Sequence, residues 1–406
     1  MRQRLLQLVG VAATIVFVSL VLVNVYGQTG TTAKPAEAAK EGQAPKTPWG
    51  EPDLQGIWSV EFQTALERPA EYAGKEIFTE QERAELDKQR ASSSHFGDRV
   101  AKRGTESDVT GAYNSVFTSQ KHTGRRTSLI VDPPDGKVPP LTPEARKRNI
   151  EIRQYQLALL QATQACKDKV LGACEDGKYG PPSPKRAEVP PHYMTGAINR
   201  SDNPEDRNLG ERCMSGALPE FRGGFTGIHR RIVQSPGIVY IYYDSGQGQG
   251  WHRVVPITTT PHLPPNIQLW WGDSRGRWEG NALVVDVTNF SPKTDFQGSR
   301  ENLHLIERWT RTSAGSLELV STMEDPTTWT KPWTVSQEFA KQSDHLNRIY
   351  TEPRCHEGNY GLLGLLAGGR ADDKAFKERR GPNPATKCLA GCGVDPEGVL
   401  DPLALR

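Results

Sequence analysis

Residues 303–323, LHLIERWTRTSAGSLELVSTM, decide how the chain reads. Leu303, Leu305 and Trp309 share one parity, and His304, Arg308 and Thr310 share the other. A period of two is the signature of a strand with one face toward a core. Ser313-Ala314-Gly315-Ser316 is turn chemistry, and Leu317, Leu319, Ser321 and Met323 resume the alternation on its far side. Two alternating runs joined by a tight turn predict an antiparallel hairpin.

The same grammar extends in both directions. Arg230 to Gln234, the turn Ser235-Pro236-Gly237 and Ile238 to Tyr243 predict a hairpin. Trp251 to Ile257 reads as a further strand. Arg275 to Trp278 and Ala282 to Val287 flank the turn Glu279-Gly280-Asn281, and Trp333 to Phe339 completes the run. No repeat of 20–50 residues is visible, which excludes a propeller or solenoid. The expected fold class is therefore mainly β (α+β). Residues 206–365 are read as an antiparallel meander with a barrel-like or sandwich core, and N-terminal helices pack outside it. Closure into a barrel would remove exposed strand edges.

Upstream, residues 48–205 read as a mixed segment. Pro48-Trp49-Gly50 and the stretch to Trp58 suggest a turn-rich start anchored by two tryptophans. Thr79 with Glu82 makes a capping box for a helix to about Arg90. Ser128 to Val131 is strand-like, and Asp132-Pro133-Pro134-Asp135-Gly136 ends it. Thr142 followed by Pro143 starts a helix expected to reach about Val170, with Ile152, Tyr155, Leu159 and Ala162 on one face. Residues 175–205, rich in Pro, Lys and Gly, read as an exposed loop. The last stretch, 366–406, is expected to be an irregular tail.

Residues 1–27 carry Arg2 and Arg4 ahead of an apolar run from Leu5 to Val23. The pattern predicts a signal peptide, with an uncleaved N-terminal anchor as the alternative because the run approaches bilayer length. Residues 28–47 lack the apolar content of a core and read as a disordered linker. The expected location is periplasmic or secreted, with membrane contact only through the N-terminal segment if that is uncleaved. Six cysteines in an exported chain favour disulfides, and sequence alone leaves 15 pairings open. Cys166–Cys174, Cys388–Cys392 and a long-range Cys213–Cys355 staple are the favoured set. A net charge of +2 gives no reason to expect nucleic acid.

Several words in the chain are longer than chance would give: Pro52-Asp53-Leu54-Gln55-Gly56-Ile57-Trp58, Val131 to Gly136, Glu211-Arg212-Cys213, Gly272 to Asn281, Glu324-Asp325-Pro326, and Cys355-His356-Glu357-Gly358-Asn359-Tyr360-Gly361. Across roughly residues 48–370 these resemble an uncharacterised family of exported bacterial proteins, numerous in soil lineages. The resemblance implies export and no particular reaction, so it assigns no catalytic residue.

Chemistry concentrates in two places. Trp270, Trp271, Asp273, Arg275, Arg277 and Trp278 combine aromatic faces with guanidinium and carboxylate groups, a set suited to a small-molecule or carbohydrate-like ligand. A tight turn with core tryptophans is the structural alternative. His356 and Glu357, with Asp273, are the candidates for acid–base catalysis. Position 360 is Tyr, so the two-histidine zinc-protease helix fails there. Asp273 and Glu279, six residues apart, are a candidate glycosidase pair. His229, His252, His262 and His304 are candidates to converge with His356 as a metal site, against the commoner reading of isolated surface or core histidines, and His252 and His304 sit where they can face a barrel interior. No metal and no cofactor is expected; P-loop, dinucleotide and serine-hydrolase signatures are absent. Three functions follow: binding of a small or carbohydrate-like ligand, a periplasmic or secreted hydrolase or lyase, and a cell-envelope structural or interaction protein.

Overall fold

The computed structural model describes residues 45–93, 122–169, 178–342 and 355–387, apart from 194, 197, 208, 210, 215–217, 222–228 and 247–248. The expected signal or anchor, nearly all of the linker and the Cys388–Cys392 pair lie outside these residues. At the linker's end the chain is already folded: Thr47 is buried, and the Asp53 N–H donates to the Pro45 carbonyl at 2.8 Å.

One ten-stranded antiparallel sheet, nearly closed and barrel-shaped, organises the described residues. Its strands are β1 (Gly56–Ser59), β4 (Ile130–Asp132), β5 (His229–Ser235), β6 (Ile238–Gly246), β7 (Gln249–Pro256), β8 (Asp273–Glu279), β9 (Ala282–Thr288), β10 (His304–Arg311), β11 (Ser316–Glu324) and β12 (Trp333–Lys341), while β2 (Phe62–Gln63) and β3 (His122–Thr123) pair in parallel with each other alone. Around the sheet the order is β7-β6-β5-β1-β12-β11-β10-β9-β8, with β4 also paired to β12. The meander predicted from the hairpins is present, as a barrel and not a sandwich. The N-terminal segment is not separate from it. β1 is inserted between β5 and β12, so a strand from the start of the chain joins the first and last strands of the meander.

Alternation sorts the side chains. On β11, Leu317, Leu319, Ser321 and Met323 are buried, while the residues between them are half-buried or exposed. Their inward neighbours are Trp309 and Leu305 on β10 and Phe339, Val335 and Trp333 on β12. Each large apolar side chain fully removed from water contributes about 1.5–3 kcal/mol, so this inner face supplies much of the stability. Trp58 also belongs to it, whereas Trp49 stands partly in solvent and donates to Glu51; only one of the two early tryptophans is an anchor.

The barrel closes between β7 and β8, which are the two ends of the strand order. Ile257 forms a parallel bridge with Gly276, and the Thr258 N–H donates to the Gly276 carbonyl at 3.0 Å. The approach is so close that a Cβ at position 276 would lie 2.8 Å from both Ile257 Cδ1 and Val255 Cγ1.

Four α-helices accompany the sheet among the described residues. The α1 helix (Glu80–Ser93) has the predicted capping box, with the Thr79 N–H donating to Glu82 and the Glu82 N–H to the Thr79 hydroxyl. The α2 helix (Pro143–Leu160) ends ten residues earlier than expected. Thr163 explains the stop: its hydroxyl donates to the Leu160 carbonyl and accepts from the Cys166 N–H, capping the short α3 (Gln164–Lys167). Residues 178–205 are less exposed than expected, since Thr195, Ile198 and Asn199 are buried. Residues 360–377, two-thirds of them assigned to an irregular tail, form α4 (Tyr360–Lys377), capped by Asn359 and buried through Leu362 and Leu366. Its glycines obscured the helical spacing. Among the described residues no helix is long and apolar enough to cross a membrane.

Gly276→Ala should lower the thermal midpoint by several degrees, because overpacking a filled contact costs about 1–3 kcal/mol. Gly315→Ala, with nothing within 4 Å of the added Cβ, serves as the control. Equal midpoints for the two variants in a melting experiment would show that the seam tolerates a wider spacing.

Candidate functional site

The densest group of ionisable side chains lies on the outer face of β8, β9 and β10. Residues 258–272, between β7 and β8, run across this face. Asn289, in a left-handed conformation just after β9, holds them there by donating its side-chain amide to the carbonyls of Leu263, Pro264 and Ile267, each at 3.0 Å. Gly272 (φ +68°) then turns the chain into β8; a Cβ there would meet the Thr288 carbonyl at 2.7 Å.

This path lays His262 over two carboxylates. Its Nδ1 is 2.9 Å from Asp273 Oδ2, and its Nε2 is 2.9 Å from Asp286 Oδ1. Asp286 also faces His304, whose Nε2 lies 3.2 Å from the same oxygen. Beyond His304, Glu324 Oε2 is 3.6 Å from Nδ1. At the other end, Asp273 accepts from Arg275 Nη2 at 3.1 Å and from the Leu263 N–H at 3.1 Å. The chain Arg275–Asp273–His262–Asp286–His304–Glu324 therefore alternates acceptors with groups that carry protons.

Burial is graded along it. Asp273 is 6% exposed, whereas the side chains of His262, Asp286 and His304 keep 26%, 29% and 35% of their surface. A ligand approaching from solvent meets Glu324 and His304 before the buried Asp273. Both ring nitrogens of His262 face carboxylate oxygens, so both contacts are hydrogen bonds only when the ring carries two protons. Among the described residues no group of three or more His, Cys, Asp or Glu side chains is arranged to hold a metal ion.

The residues singled out from the sequence are divided between faces. Asp273, Arg275, Arg277 and Glu279 point outward; Ser274, Gly276 and Trp278 point inward. Arg277 belongs to a separate outer pair, Arg277–Glu279–Arg308, whose two guanidiniums hold the Glu279 carboxyl below its ordinary range. Trp271 lies on the inner side, stacked on Trp251 at 4.4 Å, and Trp251 stacks on Tyr243 at 3.9 Å. Trp270 is half-buried in the turn before β8. The proposed glycosidase pair fails on distance. Asp273 and Glu279 are the two ends of one strand, and six residues at about 3.3 Å each put roughly 20 Å between them; such carboxyl pairs work at roughly 5–10 Å.

His356 and Glu357 have other partners. Glu357 accepts from Arg212, which also donates to the Tyr193 hydroxyl, and His356 is exposed. The neighbouring Cys355 is bonded to Cys213, and Asn359 donates to Cys213 Sγ at 3.1 Å. This corner is a stapled junction between distant parts of the chain. Cys166 is likewise disulfide-bonded. His252 and His304 both point outward, against the expectation of an interior position; His229 is buried, away from the chain of carboxylates.

Sequence reasoning reached Asp273 and Arg275 and named His262 and His304 without a partner. It missed Asp286, although the signal was available: a single charge in the apolar run Ala282–Val287 has to face solvent or another charge. No family model matches the chain, and no curated protein is significantly similar to it.

Breaking Cys213–Cys355 should destabilise the fold by about 2–5 kcal/mol, since a cross-link over 142 residues removes much freedom from the unfolded chain. Denaturant unfolding of a Cys213→Ser/Cys355→Ser variant measures this directly. A stability equal to that of the parent would make the bond an ornament of an already fixed junction.

Proposed function

We propose that this is a periplasmic or secreted protein that takes a small polar, carbohydrate-like ligand on the outer face of β8–β10 and performs acid–base chemistry on it, in the hydrolase or lyase class. One observation carries the reading: Asp286 contacts two imidazoles, and one of these, His262, is also held by the buried Asp273. Imidazole is the side chain best suited to giving and taking protons near neutral pH. On His304, Asp286 at Nε2 fixes the ring and leaves Nδ1, 3.6 Å from Glu324, as the nitrogen that can exchange a proton with a ligand, while His262, held at both nitrogens, positions Asp286. Arg275, at the inner end, supplies a fixed positive charge and fork-shaped donors for a ligand hydroxyl or carboxylate. The disulfides support an oxidising compartment.

Ligand binding without turnover is the second reading. It is favoured by the aromatic stack that ends in half-buried Trp271, a surface that holds rings without moving protons.

Purified protein should hydrolyse or eliminate at least one member of a panel of chromogenic glycosides and esters and uronic-acid polymers. His304→Asn should cut the rate by 100-fold or more, within the usual range for a lost acid–base group, while calorimetric binding of the same substrate changes less than threefold. Binding with no turnover by the parent protein would select the second reading. Turnover unaffected by His262→Asn and His304→Asn would remove the outer face from consideration.

A further inference from the structure

The barrel's inner face holds a second concentration of polar groups, and these are incompletely partnered. Arg253 crosses the interior from β7. Its Nε donates to Ser274 on β8 at 2.8 Å, and its Nη1 donates to Glu307 on β10, leaving Nη2 buried without an acceptor. Arg230 on β5 donates from Nη2 to the Glu220 carbonyl, and both its Nε and its Nη1 are unpartnered. The two guanidiniums converge on one tyrosine: Arg230 Cζ lies 4.6 Å from the ring centroid of Tyr243, and Arg253 Nη1 is 3.4 Å from its hydroxyl. Burial pushes that hydroxyl's pKa up to about 12, so it stays protonated.

Around them, Ser321 Oγ, Gln337 Oε1 and the indole N–H groups of Trp251 and Trp309 also lack partners. All six side chains are at least 95% buried and face inward. Ser321 lies directly opposite Glu307 on the neighbouring strand, and Gln337 sits one inward position along β12 from Phe339, whose ring is 5.3 Å from Arg230 Cζ. Unpartnered buried polar atoms are uncommon in folded proteins, and each costs about 1–3 kcal/mol, so a group of them on one inner face calls for a complement.

Its chemistry follows from the count. N–H donors on two guanidiniums and two indoles outnumber the free acceptors, Gln337 Oε1, the Ser321 hydroxyl and Glu220 Oε2. The complement is therefore rich in acceptors. Charge points the same way. Glu307 is hydrogen-bonded to Arg253, whereas Glu220, the carboxyl paired with Arg230, stands 3.8 Å away, beyond hydrogen-bond distance. Arg230 thus keeps two N–H groups open to an anionic acceptor.

We propose that the barrel interior between Arg230, Arg253 and Ser321 is a binding site for a small carboxylate, separate from the outer-face site and on the opposite side of the same sheet. The stack Tyr243–Trp251–Trp271 flanks it and makes tryptophan emission its natural reporter.

The full-length protein is titrated with acetate and with benzoate, each against its neutral amide, following tryptophan fluorescence and heat. At least one carboxylate should bind ten times or more tighter than its amide. Ser321→Ala and Trp251→Phe, each of which removes one unpartnered group and leaves the Arg253–Glu307 pair intact, should each weaken it roughly three- to tenfold. Arg275→Gln, on the outer face, should leave it unchanged. Equal binding of acid and amide, no binding of either acid, or binding lost in Arg275→Gln but kept in the two interior variants would each overturn the proposal.

Discussion

Arg253 is where the closure of this barrel and the character of its interior meet. The strand order begins at β7 and ends at β8, so the sheet has a seam, and Arg253 reaches over it to Ser274 while pairing with Glu307 on β10, two strands beyond β8. A buried ion pair of this kind adds little net stability, because desolvating both charges offsets most of their attraction. Losing one partner is another matter, since the other charge is then stranded. The pair thus enforces one arrangement more than it strengthens the fold. With Gly276 admitting Ile257 to within a bridge of β8, only one spacing of the two end strands satisfies both the charges and the packing.

The remaining architecture follows from alternation on a sheet one residue thick. Each strand sends its odd and even residues to different environments, so neighbours in sequence become members of different sites. Asp273 holds His262 outside; Ser274, the next residue, holds Arg253 inside. The Trp-rich word at 270–279 looks like one cluster in the sequence and is two half-clusters in space.

That division also marks the limit of what the sequence discloses. The strands were legible because their period is local: Leu317 to Met323 needs no tertiary information to be seen as one face. The capping box at Thr79 was legible for the same reason. Asp286 was not, because its meaning depends on His262, 24 residues earlier, being carried across the sheet by a loop whose path is set by Asn289. β1 was missed as a sheet member because four residues between turns carry too short a pattern, and its place between β5 and β12 is decided by partners from the other half of the chain. The helix at Tyr360–Lys377 was hidden by glycines, which weaken helical propensity but do not forbid a helix whose Leu362 and Leu366 are buried.

The outer chain of carboxylates and imidazoles has to be weighed against a plain surface network, and its geometry separates the two. Surface ion pairs are usually exposed at both ends, are worth about 0–1 kcal/mol, and need no backbone provision; Glu279 with Arg277 and Arg308 is such a group. Asp273 differs in each respect. It is buried beneath a loop, it accepts a backbone N–H as well as two side chains, and the loop that covers it is fixed by three hydrogen bonds from a residue held in a left-handed conformation. A structure that merely needed charge neutralisation would reach it more cheaply in solvent. Placing a carboxylate out of water and leaving the imidazole above it partly open favours a ring held in one orientation and available to something that arrives from outside.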